Sequence, residues 1–344
     1  MDRSEAALVQ AARDGDRDAL EALIEPHRRQ LQAHCYRMLG SFHDAEDLVQ
    51  ETLLRAWRGL GGFDGRASVR HWLYRIATNA CLNVLEARAS ARRVLPEALT
   101  PPTHEMPDRE PASDIAWLEP YPDLALEGIP DTALGPEARY AVHESMQLAF
   151  IAAIQLLPPR QRAALLLRDV LGCSAAESGR LLDSSVAAIN SAVQRARDTL
   201  SAQLPPGPPR VVADASREQR ALLDRYIQAW ETTDVSGFKA LLAEDATLSM
   251  PPWVQWYRGP SAIATFFEMT GRPGGHAPFR LAPTAANAQP AFAFYSRWQG
   301  GPEWQFHSIQ LLTLQDGRIQ RMTSFVSSAL ARAFHLPPVL TVSG

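Results

Sequence analysis

Two proline-rich stretches divide this chain of 344 residues and prevent it from folding around one core. The first, residues 96–138, contains nine prolines and ten acidic residues against a single basic one, Arg109. Proline lacks the backbone N–H that helices and sheets need, and a segment with this much charge buries little apolar surface. The pattern therefore predicts an extended acidic linker. The second stretch, Pro205-Pro206-Gly207-Pro208-Pro209, predicts another linker over residues 205–216. We therefore expect folded modules over residues 1–95, 139–204 and 217–330, with a tail over 331–344.

The middle module contains a helix-turn-helix pattern over residues 174–200. Ser174 and Glu177 have the spacing of a capping box, the first helix should end near Leu182, and Ser185 can cap the second helix. The apolar positions of the second helix recur at i, i+3 and i+7 and should be buried. They are Val186, Ile189, Val193 and Leu200.

The other face of that second helix carries small and polar residues suited to a DNA major groove. They are Ala187, Ala188, Asn190, Ser191, Gln194, Arg195 and Arg197. An ordinary helical hairpin with a solvated polar face is the alternative interpretation.

Compartment and cofactors are constrained by what the sequence contains. The N-terminus has no apolar signal core and no apolar run approaches membrane-spanning length, so we expect a cytoplasmic protein without membrane contact. Cys35, Cys81 and Cys173 are isolated, which fits a reducing compartment and buried structural thiols. His34 beside Cys35 cannot complete a tetrahedral metal site alone, so no metal or cofactor is expected.

The clearest helical pattern of the first module lies over residues 44–60, with Asp44 as its expected N-cap. One stripe of this helix should face the core: Ala45, Leu48, Val49, Thr52, Ala56 and Trp57. The opposite stripe consists of Asp47, Gln50, Glu51 and Leu54. A leucine ringed by carboxylates and an amide suits a basic protein partner, although a plain solvated face fits the spacing equally well.

The next pattern combines a glycine-containing loop over residues 63–67 with a helix that Ser68 should cap. Its expected inward residues are Val69, Trp72, Leu73, Ile76 and Ala80. Its expected outward residues are Arg70, Tyr74, Arg75 and Asn79. Aromatic and arginine side chains near a loop suit unpaired bases, where stacking and backbone charge provide affinity. Taken singly, Trp72 and Tyr74 are better explained as core residues, and it is their setting beside the loop that favours a role in DNA binding.

Three segments together resemble the extracytoplasmic-function (ECF) group of bacterial RNA polymerase sigma factors. They are DAEDLVQETLLRAW, FDGRASVRHWLYRIATNACLN and LPPRQRAALLLRDVLGCSAAESGRLLDSSVAAINSAVQRAR, in the order and spacing of that group. The resemblance covers residues 1 to about 204. It implies two all-α domains, region 2 over residues 1–95 and region 4, with its helix-turn-helix, over residues 139–204.

The resemblance also implies partners and roles. Core RNA polymerase would be bound through its beta-prime clamp and beta flap, the clamp by Asp47, Gln50, Glu51 and Leu54. The minus-ten element would be recognised and opened by Phe63, Arg66, Ser68, Trp72, Tyr74, Arg75 and Asn79, with a flipped base held in a loop pocket. The minus-thirty-five element would be read by the outer helix face from Ala187 to Arg197, with Arg160 and Arg162 on phosphates. The acidic linker would thread through the polymerase, and WLEPYPD at residues 117–123 is either a docking motif or a local aromatic-proline turn.

The third module combines helices with strands. An amphipathic helix begins at Arg217, and strand patterns lie over residues 279–281, 291–298, 303–314 and 318–325. Asp316-Gly317 is typical of a tight hairpin between the last two. We expect an α+β cone, in which helices are wrapped by a curved antiparallel sheet around a pocket.

This module resembles the SnoaL-like and ketosteroid-isomerase-like superfamily. The resemblance assigns an oxyanion donor to Tyr226, but it places the base carboxylate at Met250 and the second carboxylate near Gln310. Methionine cannot accept a proton, so we expect no catalysis. The pocket could still bind a small apolar ligand through Tyr226, Trp230, Met250, Trp253, Trp298, His307 and Gln310.

The leading hypothesis is a transcription initiation factor that directs core polymerase to promoters and helps to open them, regulated by its fused C-terminal domain. One alternative keeps this function but makes the C-terminal pocket an enzyme. Another is a ligand-responsive helix-turn-helix repressor, which leaves the face at Asp47, Gln50 and Glu51 unexplained.

Overall fold

The computed structural model describes residues 5–63, 65, 67–88, 92–127, 144–203, 217–270, 279–297 and 303–340. The chain forms two compact units. The first combines Met1–Arg93 with Ala125–Pro208, and the second combines Val94–Leu124 with Pro209–Gly344. Among the described residues, no helix is both long and apolar enough to cross a membrane.

The first unit is helical, as predicted for regions 2 and 4. Its region 2 helices are α1 (Glu5–Arg13), α2 (Arg17–Ile24), α3 (Arg28–Leu39), α4 (Phe42–Gly59) and α5 (Val69–Ala87). Its region 4 helices are α6 (Leu148–Ile154), α7 (Pro159–Leu165), α8 (Ala175–Leu181) and α9 (Val186–Gln203). Cys35, Cys81 and Cys173 are free and buried, which confirms their predicted placement.

The start of α4 differs from the prediction. Its N-cap is Ser41, whose hydroxyl accepts the Asp44 N–H at 3.1 Å, so Asp44 lies inside the first turn. Gly40 caps the end of α3 in the left-handed conformation, with φ of 71°, so that only Gly40 and Ser41 lie between the two helices. Asp44 is thereby released from capping and binds two arginines instead, Arg88 and Arg93.

The helix-turn-helix forms as predicted. Ser174 and Glu177 make the reciprocal capping box, and the Ser185 hydroxyl accepts the Ala188 N–H at 3.2 Å. Ile189, Val193 and Leu200 are buried, but Val186 is 47% exposed, so its predicted burial is wrong. Val186 is the first residue of α9, and burial of this face begins one turn further on.

Gly179 is required by the tight approach of the two helices. A Cβ added there would lie 2.7 Å from the Ser184 carbonyl oxygen, a backbone atom that cannot move without opening the turn. Gly61 provides a matched control, because an added Cβ meets nothing within 4 Å.

We expect Gly179→Ala to lower the stability of the first unit by about 1–3 kcal/mol, because the methyl group overpacks the turn. Gly61→Ala should change it by less than about 0.5 kcal/mol. Chemical denaturation followed by circular dichroism measures both. Equal midpoints for the two variants would show that the turn does not depend on a glycine.

The second unit confirms the predicted α+β architecture. Its helices are α10 (Arg217–Thr232), α11 (Val235–Ala240), α12 (Pro260–Thr270) and α13 (Leu330–Ala333). Its strands are β1 (Leu242–Ser249), β2 (Trp256–Arg258), β3 (Phe279–Ala286), β4 (Gln289–Ser296), β5 (Trp304–Gln315), β6 (Arg318–Val326) and β7 (Val339–Leu340). The sheet order is β2-β1-β6-β5-β4-β3, and β7 pairs with β5.

Every strand pair is antiparallel except β1 with β6, which is parallel. The predicted hairpin between β5 and β6 is confirmed, since Asp316 and Gly317 both have positive φ, at 50° and 72°. Tyr226, Trp230, Phe238 and Phe292 lie in the buried core between the helices and the sheet.

The stretch Val94–Leu124, which we call the inter-region segment, belongs to this second unit. It has little regular structure, but Leu118 and Tyr121 are almost fully buried. Val94 bridges to Trp117, because the Val94 N–H donates to Ala116 O and the Leu118 N–H donates to Val94 O, both at 3.0 Å. The segment is therefore folded back on itself and packs into the second unit, whereas the sequence analysis expected an extended linker.

Candidate nucleic-acid interface and C-terminal cavity

The α4 face consists of Asp47, Gln50, Glu51 and Leu54. Asp47 and Gln50 are exposed, and the half-buried Glu51 accepts a hydrogen bond from Arg55 at 2.7 Å. Leu54 is 43% exposed, which is high for a leucine.

Trp57 extends this face, although the sequence analysis placed it in the core. Its side chain is 53% exposed, so the inward prediction is wrong. Trp57 lies three residues after Leu54, which is one helical turn, and therefore borders both stripes of α4. Helical spacing was the reason for its inward assignment.

The loop before α5 leads into the first turn of that helix, and Arg66 lies outside the described residues. Phe63 is buried against Trp72, with ring centroids 5.0 Å apart. Ser68 caps α5 as predicted, because its hydroxyl accepts the His71 N–H at 3.3 Å. Arg75 is exposed and Asn79 is half-buried.

Tyr74 does not lie on the outer face of α5, so its predicted outward placement is wrong. It is buried, its ring meets His34 edge-on at 5.2 Å between centroids, and the Arg70 guanidinium lies over it. Burial raises the pKa of the Tyr74 hydroxyl to about 12. Contact with His34 on α3 is a tertiary effect that the periodicity of α5 does not reveal.

The outer face of α9 has the composition and exposure that the prediction requires. Its seven residues are exposed: Ala187, Ala188, Asn190, Ser191, Gln194, Arg195 and Arg197. Arg197 donates two hydrogen bonds to Asp169, at 2.9 and 2.7 Å, and this ion pair raises the pKa of Arg197. The pair orients the guanidinium at the edge of the face.

Arg160 and Arg162 have opposite environments. Arg160 is exposed, as a phosphate contact requires. Arg162 is only 3% exposed, so its expected placement against DNA phosphates is wrong. The helical spacing of the two residues turns Arg162 toward the interior of the first unit.

Arg162 instead joins region 4 to region 2. It donates to the carbonyl of Met38 at the end of α3, to the Gln155 side chain, and to the carbonyls of Gln155 and Leu157 at 3.0 and 3.2 Å. The Gln155 amide in turn donates to Arg37 O at 3.2 Å. The last carbonyls of a helix lack partners within it and carry partial negative charge, so a guanidinium suits them. Burial lowers the pKa of Arg162 to about 10, which leaves it charged at neutral pH.

Two further close contacts between basic and acidic side chains connect α5 with the helix-turn-helix. Arg75 lies 3.6 Å from Asp183, and His71 lies 3.9 Å from Glu177. Exposed pairs of this kind contribute little to stability. The pair at Arg75 nevertheless occupies a residue that the sequence analysis assigned to the minus-ten element.

We expect Arg162→Met to destabilise the first unit by about 2–4 kcal/mol, because it leaves buried carbonyls without donors. Arg160→Met is the matched control and should change stability by less than about 0.5 kcal/mol. Urea denaturation monitored by circular dichroism compares them. A similar midpoint for both would contradict the structural role of the buried guanidinium.

Asp44 anchors the end of region 2. It accepts hydrogen bonds from Arg88, just after α5, and from Arg93, which lies 2.7 Å away. Burial by itself would raise the pKa of Asp44, but the hydrogen bonds and charges of the two arginines outweigh it and lower the pKa to about 2.

A carboxyl group with a lowered pKa in the folded state stabilises the fold above its unfolded pKa and ceases to do so as the pH falls through its folded pKa. Asp44→Asn should therefore cost about 2 kcal/mol at pH 7. The stabilities of the two proteins should converge as the pH falls from about 4 to about 2. Urea denaturation of both proteins across this pH range tests the prediction. A difference in the free energy of unfolding that stays constant with pH would contradict it.

The second unit contains a cavity of about 310 Å³. Five residues predicted for the pocket line it: Trp230, Met250, Trp253, His307 and Gln310. Trp298 lies outside the described residues. The remaining prediction, Tyr226, is buried behind the wall, where its hydroxyl donates to the Gln310 side-chain oxygen.

The cavity lining includes two buried polar side chains without charge, Gln310 and Ser324. Gln310 accepts from Tyr226 and donates to the Ser324 hydroxyl, so both ends of its amide are engaged. Burial raises the pKa of Tyr226 well above its ordinary value, so this hydroxyl keeps its proton. Asp108 is the one carboxylate among the described lining residues, and it already accepts a hydrogen bond from the Gln255 amide at 2.7 Å.

Residues 106–109 of the inter-region segment form one wall of this cavity, which the sequence analysis did not predict. The signal that could have revealed the docking is the motif at residues 117–123. Tyr121 and Asn287 exchange two hydrogen bonds at 2.9 Å, and the Ala288 N–H donates to Asp123 at 2.9 Å. Burial raises the pKa of Asp123 to about 6, although the bond from Ala288 opposes the shift.

Comparison with known proteins agrees with this division of the chain. Residues 23–91 match the family model of Sigma-70 region 2, residues 147–200 that of Sigma-70 region 4, and residues 223–322 that of the SnoaL-like domain. The sigma factor SigG of Mycobacterium tuberculosis is 42% identical over 331 residues, covering 95% of this chain and 86% of SigG. The sigma factor SigM of the same species is 32% identical over 200 residues, covering 58% of this chain and 84% of SigM.

Among solved structures, the M. tuberculosis sigma factor SigJ matches with a TM-score of 0.58 and 21% identity, covering 92% of this chain and 98% of SigJ. That likeness confirms the fold. Two helical regions and a helix-turn-helix define the class as a sigma factor, the subunit that directs bacterial RNA polymerase to promoters. The chain belongs to the ECF family of sigma factors and carries a C-terminal SnoaL-like domain.

Proposed function

We propose that the α4 face, with Trp57 beside it, binds the beta-prime clamp of core RNA polymerase in the cytoplasm. The observation that carries the proposal is the exposure of Leu54 and Trp57, at 43% and 53%, between exposed acidic and amide groups. A protein interface combines apolar anchors with a polar rim, and carboxylates at the rim steer a basic partner.

The charge reversal Asp47→Arg with Glu51→Arg should weaken binding to core polymerase at least tenfold, because it replaces attraction with repulsion. The control is Glu21→Arg, since Glu21 is an exposed carboxylate on α2 of the same region. Fluorescence anisotropy of labelled full-length chain with purified core polymerase measures the affinity, and thermal unfolding verifies that both variants fold. Unchanged affinity in the double variant would remove the clamp assignment.

The exposed face of α9 would read the minus-thirty-five element, with Arg160 on a neighbouring phosphate. The loop at residues 63–67 and the exposed Arg75 of α5 would engage the minus-ten element. Tyr74 is not part of this proposal, because its ring lies in the core of region 2. The beta flap is proposed as the second polymerase contact, on region 4.

The first unit, as it is folded, cannot bind the two promoter elements at the same time. Positions minus ten and minus thirty-five are separated by about 85 Å of duplex at 3.4 Å per base pair. A compact unit of this size is only about 40 Å across. Regions 2 and 4 must therefore separate, which breaks the hydrogen bond from Arg162 to Met38 and frees Arg75 from Asp183.

The C-terminal domain would regulate this sigma factor rather than catalyse a reaction. Met250 and Gln310, which stand where the isomerases carry carboxylates, both line the cavity and neither can act as a base. A ligand-responsive repressor would not need the α4 face, so initiation that requires core polymerase distinguishes the two functions.

A further inference from the structure

The inter-region segment is held to the C-terminal domain by side-chain donors on the short stretch at residues 250–257. Trp256 donates its indole N–H to Thr100 O at 2.7 Å, and Tyr257 donates its hydroxyl to Glu105 O at 2.8 Å. Trp253 donates its indole N–H to Asp108 O at 2.9 Å. Backbone bonds add to the hold, from Thr103 N–H to Trp256 O and from Ala112 N–H to Pro252 O.

Trp253 takes part in both the cavity and this attachment. Its side chain lines the cavity, and its indole N–H bonds to Asp108 in residues 106–109, which line the same cavity. A molecule inside the cavity therefore contacts the docked segment and one of the side chains that hold it. If the segment leaves, the cavity loses a wall and the molecule loses those contacts.

The lining indicates the chemistry of the molecule. Most of the cavity surface comes from apolar and aromatic side chains, including Leu248, Phe266, Phe279 and Phe294. The buried polar groups of the lining, Ser308, Gln310 and Ser324, are uncharged, and the half-buried His307 lies beside Ser308. Charged groups lie on the segment wall, at Asp108 and Arg109, and both are exposed. A largely apolar, uncharged molecule with one hydrogen-bonding group fits this arrangement.

Docking also shortens the connection between regions 2 and 4. The bridge between Val94 and Trp117 closes a loop whose ends lie side by side. The same residues could span about 80 Å if extended. Releasing the loop therefore adds about 80 Å to the reach of the tether, which is comparable to the separation of the two promoter elements.

We propose that the cavity binds an uncharged, largely apolar small molecule whose occupancy stabilises the docked inter-region segment, so that it keeps the tether between regions 2 and 4 short and restrains initiation. The sign follows from the geometry, because the molecule binds the docked form with two walls and the undocked form with one. Linkage then requires that whatever loosens the segment also weakens ligand binding. The regulatory part of this proposal rests on the proposed sigma function, whereas the ligand-linked docking does not.

The chain provides its own reporter of docking. Arg109 is the one lysine or arginine between residues 96 and 138, so trypsin cuts this part of the chain only there. Cleavage requires a segment that can leave its surface and enter the protease. The rate of cleavage after Arg109, resolved by mass spectrometry, therefore measures how often the segment undocks.

The test uses the full chain and the uncharged apolar dye Nile red as the probe. We expect saturable fluorescence enhancement, and at a dye concentration ten times its dissociation constant we expect cleavage after Arg109 to slow about tenfold. Cleavage after Arg13, at the end of α1, serves as the internal control and should not change. Absence of saturable binding, or binding without protection of Arg109, would overturn the proposal.

Trp253→Phe tests the coupling residue, because it keeps an aromatic ring in the cavity but removes the N–H donor to Asp108. This one substitution should both speed cleavage after Arg109 and weaken dye binding severalfold. The matched control is Trp304→Phe, since Trp304 is buried on β5 and does not line the cavity. Equal effects of both variants would show a general loss of stability and would contradict the proposed link.

The regulatory part is tested by initiation with core polymerase on a promoter that the full chain recognises. Initiation without dye supports the proposed sigma function independently. Saturating dye should then lower the rate of initiation, and less so with Trp253→Phe at the same concentration. Protection of Arg109 without any change in initiation would overturn the regulatory part.

Discussion

The buried guanidinium of Arg162 is the interaction on which the first unit depends. A charge removed from water must be matched by hydrogen-bond acceptors, and here the acceptors come from both regions: Met38 on one side, Gln155 and Leu157 on the other. Surface ion pairs such as that of Arg75 with Asp183 are too exposed to hold two regions together. Arg162 thus holds regions 2 and 4 together, and this packing determines whether the surfaces proposed to bind DNA are accessible.

A related rule explains why an acidic, proline-rich segment docks instead of remaining a spacer. Prolines remove donors but leave carbonyl oxygens, so such a segment presents an excess of acceptors. The C-terminal domain provides donors from side chains: the indoles of Trp253 and Trp256 and the hydroxyl of Tyr257. Apolar anchors at Leu118 and Tyr121 add the burial that the overall composition of the segment conceals.

Local signals were sufficient for much of the fold. The capping box at Ser174, the cap at Ser68 and the Asp316-Gly317 hairpin each depend on residues within a few positions of one another, and each was predicted correctly. The outer face of α9 followed from helical periodicity in the same way. The prediction that Met250 and Gln310 line the cavity came from a family resemblance and not from a local sequence pattern.

The errors at Tyr74, Arg162 and the cavity wall have a different cause, which is contact between parts of the chain that are distant in sequence. Tyr74 is buried because His34 lies against it, and Arg162 is buried because the end of α3 offers carbonyls. Trp57 was misplaced because helical spacing assigned it to the inward stripe, although this position borders the exposed stripe as well. The cavity wall at residues 106–109 depends on a segment folding back onto a domain that begins about a hundred residues later.

The central claim is that a closed pairing of regions 2 and 4, held by Arg162, must open on a promoter. The direct measurement is single-molecule energy transfer between dyes on cysteines introduced at two exposed positions, Asn83 on α5 and Gln203 at the end of α9. The native cysteines are buried, which favours labelling at the introduced sites. The account predicts high transfer efficiency in the free chain and low efficiency in the promoter-bound holoenzyme. High efficiency that persists during specific initiation would contradict it.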